Sequence, residues 1–304
     1  MSRSFAVIGY PLGHSLSPIL HNYVFDRLAL DASYKSLETP LGALDEVARR
    51  LRDGRLAGIN ITLPYKSTFL RYLDQLAPDA LPVGAVNCVA LEQDNLIGHN
   101  TDVTGILYAL RQGSFQAEGL RVMILGAGGA ARAAIVALIQ QGAEQICIAG
   151  RREEAITQLL DDFRKITSKT RLVGQLINPE LDTRSFHLII NATPVGMHPN
   201  VEKSLLHVSQ IHRGQTVFDM VYRPEITQLL QTALAKSCQI ITGLDMFIGQ
   251  GLASLDYWFP GIIYDQGDQL NPAIDVSSVR SLLLEALNYR APISHVVQKT
   301  GDMA

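Results

Sequence analysis

The segment Val122-Met123-Ile124-Leu125-Gly126-Ala127-Gly128-Gly129-Ala130-Ala131-Arg132-Ala133 constrains the fold of this chain more than any other. The apolar run ending at Leu125 reads as a buried strand, the glycines as a tight turn, and residues 130–141 as a helix. Gly126 makes the turn, Gly128 lets the backbone approach a phosphate, and small Ala131 allows helix and sheet to pack closely. The helix start then aims unpaired N–H groups and a positive dipole end at the anion. A glycine-rich turn alone is weak evidence, and a purely structural turn is the competing reading. Here a second strand follows at residues 145–149, so Gly126, Ala127, Gly128, Gly129 and Ala130 are assigned to a dinucleotide pyrophosphate.

The end of that second strand carries Gly150-Arg151-Arg152, where an NAD-preferring site usually places an acid for the ribose hydroxyls. Two guanidinium groups suit a 2′-phosphate, which favours NADP as cofactor; a solvated basic turn is the alternative. Arg151 directly follows the strand and is the stronger candidate of the two.

A chain of 304 residues, 47% of them hydrophobic, is long enough for two domains with separate cores. The net charge of −3 offers no general attraction to nucleic acid or to an anionic membrane. No leader-like segment and no apolar run of spanning length is present, so a cytoplasmic protein is expected. Cys88, Cys147 and Cys238 are widely spaced, with no C-x-x-C pair, and read as buried free thiols in a reducing compartment.

Apolar periodicity predicts strands at residues 5–9, 33–37, 57–62, 86–91 and 96–100, and helices at 18–28, 41–52 and 103–111. This describes an α/β amino-terminal domain over residues 1–111, followed by a short polar junction at 112–120. A Rossmann-like domain over 112–242 adds helices at 153–165 and 226–236 and strands at 188–191, 217–219 and 239–242. Residues 243–304 hold helical runs at 246–259 and 276–289, with Asp275 as an N-cap, and a loose tail at 299–304. Both helices need an apolar partner. Packing back onto the first domain leaves a ligand crevice between two lobes.

Polar residues punctuate the strand ends of the first domain. Asn60-Ile61-Thr62-Leu63-Pro64-Tyr65-Lys66, Gly84-Ala85-Val86-Asn87 and His99-Asn100-Thr101-Asp102 bring amides, hydroxyls, an ammonium and a carboxylate to element edges. Such a set suits a polyhydroxylated ligand, because each buried hydroxyl needs a directional partner. Lys66 and Asp102, 36 positions apart, can meet across neighbouring crossover units. The lysine then moves a hydroxyl proton while the aspartate orients it, or the carboxylate shares the relay. A solvated lysine and a helix-capping Asp102 are the ordinary alternatives. Ser15 and Ser17 suit a substrate carboxylate, although Ser17 also stands where it can cap the helix starting at Pro18. Neither serine has a nucleophile-elbow context. His14, His21 and His99 lack metal-ligand spacing and no metal is expected. Trp258, between Tyr257 and Phe259, reads as helix-end packing rather than a base-stacking platform.

In order and in combination these motifs resemble the shikimate dehydrogenase family, including its quinate/shikimate relatives. The resemblance runs from Gly9 to at least Gln250. It is carried by Gly9-Tyr10-Pro11-Leu12-Gly13-His14-Ser15-Leu16-Ser17-Pro18, the three motifs above, the glycine-rich turn, Asn191-Ala192-Thr193-Pro194-Val195-Gly196-Met197 and Gln250. It implies Lys66 and Asp102 as the catalytic pair and Ser15 and Ser17 as contacts to the substrate carboxylate. It also implies Thr62, Asn87, Asp102 and Gln250 as partners of ring hydroxyls, and Tyr222 at the substrate edge. Thr193, Met197 and Gly243 fall on the cofactor side.

The implied reaction is reversible reduction of 3-dehydroshikimate to shikimate with NADPH, in aromatic-precursor biosynthesis, by a monomer or homodimer. Competing readings are an NAD(P)-dependent quinate/shikimate or related cyclitol dehydrogenase and a non-catalytic ligand-sensing or scaffolding protein. Three positions depart from the family pattern. Cys88 stands where Thr is common, Gly150-Arg151-Arg152 replaces Asn-Arg-Thr, and Asp245 occupies the second glycine of a Gly-x-Gly-Met motif. Asp245 is expected either to cap the following helix or to alter substrate selection near Gln250. Ser15-Leu16-Ser17 resembles the shikimate-selective members, because quinate-selective relatives place Thr at the second site.

Overall fold

A computed structural model describes residues 2–12, 15–167, 169–265 and 269–288. Gly13, His14, Tyr289 and the tail at 299–304 lie outside these residues. The first sheet grows from β1 (Arg3–Gly9), which is buried on both faces from Phe5 onward, as a central parallel strand must be. It pairs in parallel with β2 (Ala32–Glu38) and β3 (Gly58–Ile61). Next to β3, β5 (Cys88–Glu92) runs antiparallel to both β3 and β6 (Asn95–His99), and the short β4 (Gln75–Leu76) closes the edge beyond β6. The reversal at β5 positions the site. Its N-terminal end, preceded by Asn87, lies at the same sheet edge as the C-terminal ends of β3 and β6.

The second sheet is wholly parallel. It contains β7 (Arg121–Leu125), β8 (Gln145–Gly150), β9 (Arg171–Leu176), β10 (Leu188–Asn191), β11 (Thr216–Asp219) and β12 (Gln239–Ile241), in the order β12-β11-β10-β7-β8-β9. The connections leave in opposite directions from β7 and β10, and the crevice outside such a switch point is where open α/β sheets bind ligands. Helices α4 (Gly129–Gln140), α5 (Glu153–Arg164) and α6 (Gln228–Ala235) belong to this lobe.

On the first sheet, α2 (Leu44–Arg52) covers one face through Leu44, Val47, Ala48 and Leu51, spaced for a single helical stripe. The other face meets α1 (Ser17–Arg27), α7 (Gly243–Trp258) and α8 (Val276–Asn288) in one core. The carboxy-terminal helices therefore return to the first lobe, as expected. Asp275 accepts from Ser277 N at 3.0 Å and Ser278 Oγ at 2.6 Å, which is the anticipated cap. Helix α3 (Asp102–Gln112), which leads from the first sheet to the second, lies against α7, which leads back. A Cβ on Gly105 would sit 2.6 Å from Met246 O, and one on Gly249 would sit 2.6 Å from Tyr108 Cβ. Only backbone fits at either crossing.

The sequence pattern does not announce β4 or β9. Both are edge strands, and Gly174 interrupts β9 because a Cβ there would meet Ile156 Cγ2 at 2.5 Å. Helix α2 starts at Leu44 rather than residue 41, since Ala43 N bonds Pro40 O (3.1 Å) in a turn whose Gly42 has φ +95°. Helix α7 starts three residues earlier than the apolar period suggests. Cys88, Cys147 and Cys238 are buried and free, in line with the expectation. No helix among the described residues is long and apolar enough to cross a membrane.

Trp258 fastens α7 to the first sheet. Its indole stacks on Phe5 at 4.6 Å and donates to Val89 O at 3.1 Å. A Cβ on Gly58 would lie 2.4 Å from Trp258 Nε1, and the ring has no room to retreat. We expect Gly58→Ala to destabilise the protein by about 1–3 kcal/mol in denaturant unfolding, the usual cost of overpacking a rigid core. A loss within a few tenths of a kcal/mol would contradict this packing.

Candidate active site

The edge shared by β3, β5 and β6 carries the reactive groups. Lys66 follows β3, and its backbone is pinned where Val86 N donates to Lys66 O at 2.9 Å. Its Nζ donates to Asp102 Oδ2, the carboxylate at the first position of α3. The Asp102 side chain is 6% exposed and that of Lys66 21%, so the lysine is the more accessible of the two. Asn87 Nδ2 donates to the other oxygen, Asp102 Oδ1, at 2.8 Å. Both carboxylate oxygens are thus acceptors, and the buried charge is paired and hydrogen-bonded, as burial requires.

Asn87 is itself oriented. Thr101 N donates to Asn87 Oδ1 at 2.7 Å, which turns the amide N–H toward Asp102, and Asn87 Nδ2 also reaches Thr101 Oγ1 at 3.0 Å. Asn100 Nδ2 donates to Ala85 O at 2.9 Å and holds the loop behind. Thr62 lies one residue past β3, where Thr62 N bonds Ile8 O at 2.9 Å. A Cβ on Gly9 would lie 2.5 Å from Thr62 Cγ2, so the end of β1 packs directly on Thr62. Ser17 is buried. The capping alternative for it is corrected: α1 begins at Ser17, its N-cap is Leu16, and Ser15 Oγ is the oxygen that accepts from Ser17 N, at 3.3 Å. Pro18 in the first turn shifts the helix start one residue upstream of the expected position.

Gln250 sits on α7 with Nε2 donating to Phe247 O at 2.9 Å, and the Tyr222 ring lies 4.9 Å from that of Phe247. The structure therefore brings Tyr222 and Gln250 to one turn of α7. Burial raises the Tyr222 phenol above its ordinary value, which keeps it protonated at neutral pH.

The glycine-rich turn fits a bound pyrophosphate. Gly126 has φ +115° and packs so closely under the β10 loop that a Cβ would be 2.7 Å from Thr193 Cγ2. Gly128 is exposed, and nothing lies within 4 Å of where its Cβ would be, so an anion can approach the amides at the start of α4. Arg151 and Arg152 are exposed at the end of β8. Thr193 is set by its Oγ1 donating to Asn191 Oδ1 at 2.7 Å, while Met197 is 43% exposed at the far end of the same loop. Gly243 is required by close approach, since a Cβ would be 2.5 Å from Met220 O. The two halves of the site meet at Gly129, whose Cβ position is 3.8 Å from Lys66 Cδ.

Sequence reasoning gave no role to Arg132, Arg280 or Glu225, which help build this arrangement. Arg132, in the first turn of α4, donates through Nε to Val83 O in the first lobe and through Nη1 to Asp162 Oδ2 at 2.7 Å in the second. It faces Gly84, whose φ is +65°. Its position directly after the glycine-rich turn was the available signal. Asp245 accepts from Arg280 Nη1, and Arg280 Nη2 reaches Glu225 Oε1 at 3.2 Å. The departure at 245 ties α7 to α8 and to the loop after β11. No group of three potential metal-ligating side chains occurs among the described residues.

Comparison with known proteins agrees with this geometry. Residues 7–89 match the shikimate dehydrogenase substrate binding domain, and residues 109–229 match the shikimate / quinate 5-dehydrogenase family. A shikimate dehydrogenase (NADP(+)) from Bacillus cytotoxicus is 35% identical over 264 residues, covering 85% of this chain and 93% of that protein. The chain belongs to the shikimate dehydrogenase family. Among solved structures, the shikimate 5-dehydrogenase of Thermus thermophilus in complex with NADP(H) and shikimate superposes with a TM-score of 0.80 at 34% identity, over 93% of this chain and 99% of that one. The quinate dehydrogenase of Corynebacterium glutamicum in complex with NAD gives 0.81 at 27% identity, over 93% and 99%. This member is thus an NAD(P)-linked oxidoreductase by family, with the two-lobed architecture of its relatives.

On the cofactor side, Asp219 ends β11 wholly buried and accepts from Asn191 Nδ2 (2.9 Å), Thr227 Oγ1 (2.6 Å) and Val221 N (3.0 Å). Burial outweighs these donors and pushes it up to about 6. The folded chain then holds this proton more tightly than the unfolded one, so the group's contribution to stability is present in acid and lost as pH rises through that value. Relative to Asp219→Asn, which has no such titration, the parent should gain unfolding free energy between about pH 7.5 and about pH 5. Urea unfolding at both pH values measures this, and a pH-independent difference would refute it.

Proposed function

We propose that this chain catalyses the reversible NADPH-dependent reduction of 3-dehydroshikimate to shikimate. The observation that carries the reading is the Lys66–Asp102 ion pair held against the dinucleotide turn, with Lys66 Cδ 3.8 Å from the Gly129 Cβ position. A proton-handling group thus lies beside the turn assigned to the dinucleotide pyrophosphate.

The cofactor supplies the hydride. The first amides of α4 and its dipole hold the pyrophosphate, and Arg151, with Arg152 beside it, pairs with the 2′-phosphate. The loop from Asn191 to Met197, together with Gly243, borders the nicotinamide. Ser15 and Ser17 hold the substrate carboxylate; Thr62, Asn87, Asp102 and Gln250 hold ring hydroxyls; Tyr222 closes the edge. Lys66 keeps one N–H on Asp102 and turns another toward the substrate oxygen at C3, giving up a proton as the hydroxyl forms and taking it back in oxidation. Asp102, with both oxygens accepting, orients that ammonium and offsets its charge. In this reading residues 1–111 and 243–304 form the substrate lobe and 112–242 the cofactor lobe of a cytoplasmic biosynthetic enzyme.

Initial rates with shikimate and with quinate, each paired with NADP and with NAD, test the assignment. Shikimate with NADP should give the highest kcat/KM, and preference for quinate or NAD would replace it with a quinate- or cyclitol-type reaction. Lys66→Ala should lower kcat by on the order of a thousandfold with NADPH binding nearly unchanged. Full turnover by that variant would remove the proposed role. Arg151→Ala should weaken NADPH by about tenfold while sparing NADH, and equal loss of both would speak against 2′-phosphate recognition.

A further inference from the structure

Helix α7 is apolar along its buried side except at Ser254, its one fully buried polar side chain, with 0% exposure. A serine in a helix interior ordinarily bonds back one turn and does little else. Ser254 does bond back, donating to Gln250 O at 2.9 Å, but it also meets two other elements. Asn60 Nδ2, from β3, donates to Ser254 Oγ at 2.8 Å, and Thr101 Oγ1, at the N-cap of α3, lies 3.2 Å away. Asn60 is fixed from behind by Tyr34, whose hydroxyl donates to Asn60 Oδ1 at 2.7 Å, and its amide also donates to Asn87 O at 3.1 Å. Asn60, Asn87, Thr101 and Ser254 are all buried, so their polar groups depend on one another for hydrogen bonds rather than on bulk solvent.

We infer that Ser254 is a positioning residue for the Lys66–Asp102 pair, acting through Thr101 and Asn87. With its proton on Gln250 O, the Ser254 oxygen accepts from both Asn60 and Thr101. The Thr101 hydroxyl, its own proton so directed, presents a lone pair to Asn87 Nδ2, and that amide keeps its remaining hydrogen on Asp102 Oδ1. Thr101 Oγ1 lies 3.2 Å from both Ser254 Oγ and Asn87 Oδ1, so its proton has two acceptors; removing the Ser254 hydroxyl leaves it to Asn87 Oδ1 alone and loosens the amide that faces the carboxylate. The same contact ties the turn of α7 bearing Gln250 to the strand edge bearing the pair. Ser254 touches neither the glycine-rich turn nor the crevice, so its effect belongs in kcat.

The inference rests on the proposed role of Lys66 and Asp102, and the test separates the two. Steady-state kinetics of the full-length protein, with whichever of shikimate and quinate it turns over, are compared for Ser254→Ala, Ser254→Thr, Thr101→Val and the Ala/Val double variant, with NADPH affinity measured by fluorescence. Ser254→Ala should lower kcat by about tenfold, with the affinity for NADPH within about twofold of the parent. Ser254→Thr, which keeps the hydroxyl, should restore most of the loss. The double variant should be no slower than the slower single, because both changes break one chain of bonds. A kcat for Ser254→Ala within about twofold of the parent, no rescue by Thr, or multiplied losses in the double variant would each overturn the inference. If Ser254→Ala does not fold, Ser254→Thr against Ser254→Cys decides, since the thiol is a weak acceptor of similar size, and equal kcat values overturn the inference. An active Lys66→Ala would discard the underlying function, whereas an inactive Lys66→Ala with a fully active Ser254→Ala discards only this role.

Discussion

A buried carboxylate with both oxygens engaged underlies the arrangement of the first lobe. Asp102 is nearly removed from water, and an ionised group there persists only if a cation and directed N–H donors replace its hydration. Lys66 supplies the cation and Asn87 the donor, and neither lies on the same element as Asp102. The antiparallel strand β5 exists in an otherwise parallel arrangement at the one place where it delivers Asn87 to the edge at which β3 and β6 end. Sheet topology and charge satisfaction are in this sense the same constraint.

The second lobe solves a related problem without a cation. Asp219 ends β11 as Asp102 follows β6, and it collects an asparagine, a threonine and a backbone amide. Its donors are neutral, and burial outweighs them and drives its pKa upward. Asp219 and Asn191 brace the loop after β10, under which Gly126 turns. The lobes share a buried apolar cluster in which Val83, Ile106 and Leu110 of the first pack with Ala131, Ile135 and Leu138 of the second, and polar side chains bridge its rim. Arg132 bridges the helix of the glycine-rich turn to Val83, four residues before Asn87, and Arg280 bridges α8 to Asp245 and to Glu225 beyond β11.

Much of this was readable in the chain, for identifiable reasons. The strands β7, β8, β10 and β11 are uninterrupted apolar runs, because a parallel sheet covered on both faces has no solvent side to encode. The glycine-rich turn, the polar residues at strand ends and the carboxy-terminal amphipathic helix are local patterns with local causes. The edge strands β4 and β9 were not readable, since half-exposed strands carry little apolar signal. Ser17 was open to a capping role, but the helix begins at Ser17 itself and Leu16 stands at the N-cap position, a one-residue difference that the local pattern does not resolve. Asp245 was open to a capping or substrate role; Thr242 holds the N-cap position of α7, and Asp245 pairs with Arg280, 35 positions away.

The order of motifs along the chain was sufficient for the two-lobed class, the dinucleotide turn and the candidates Lys66 and Asp102, because each depends on residue type and on neighbours within a few positions. Tertiary structure alone decided that Lys66 and Asp102 pair, that Asn87 presents its N–H side to them, and that Ser254, 194 positions from Asn60, joins the same buried chain of hydrogen bonds. Hydrogen bonds in a dry interior are specified by direction and distance between elements remote in sequence, and no local pattern of residues encodes either.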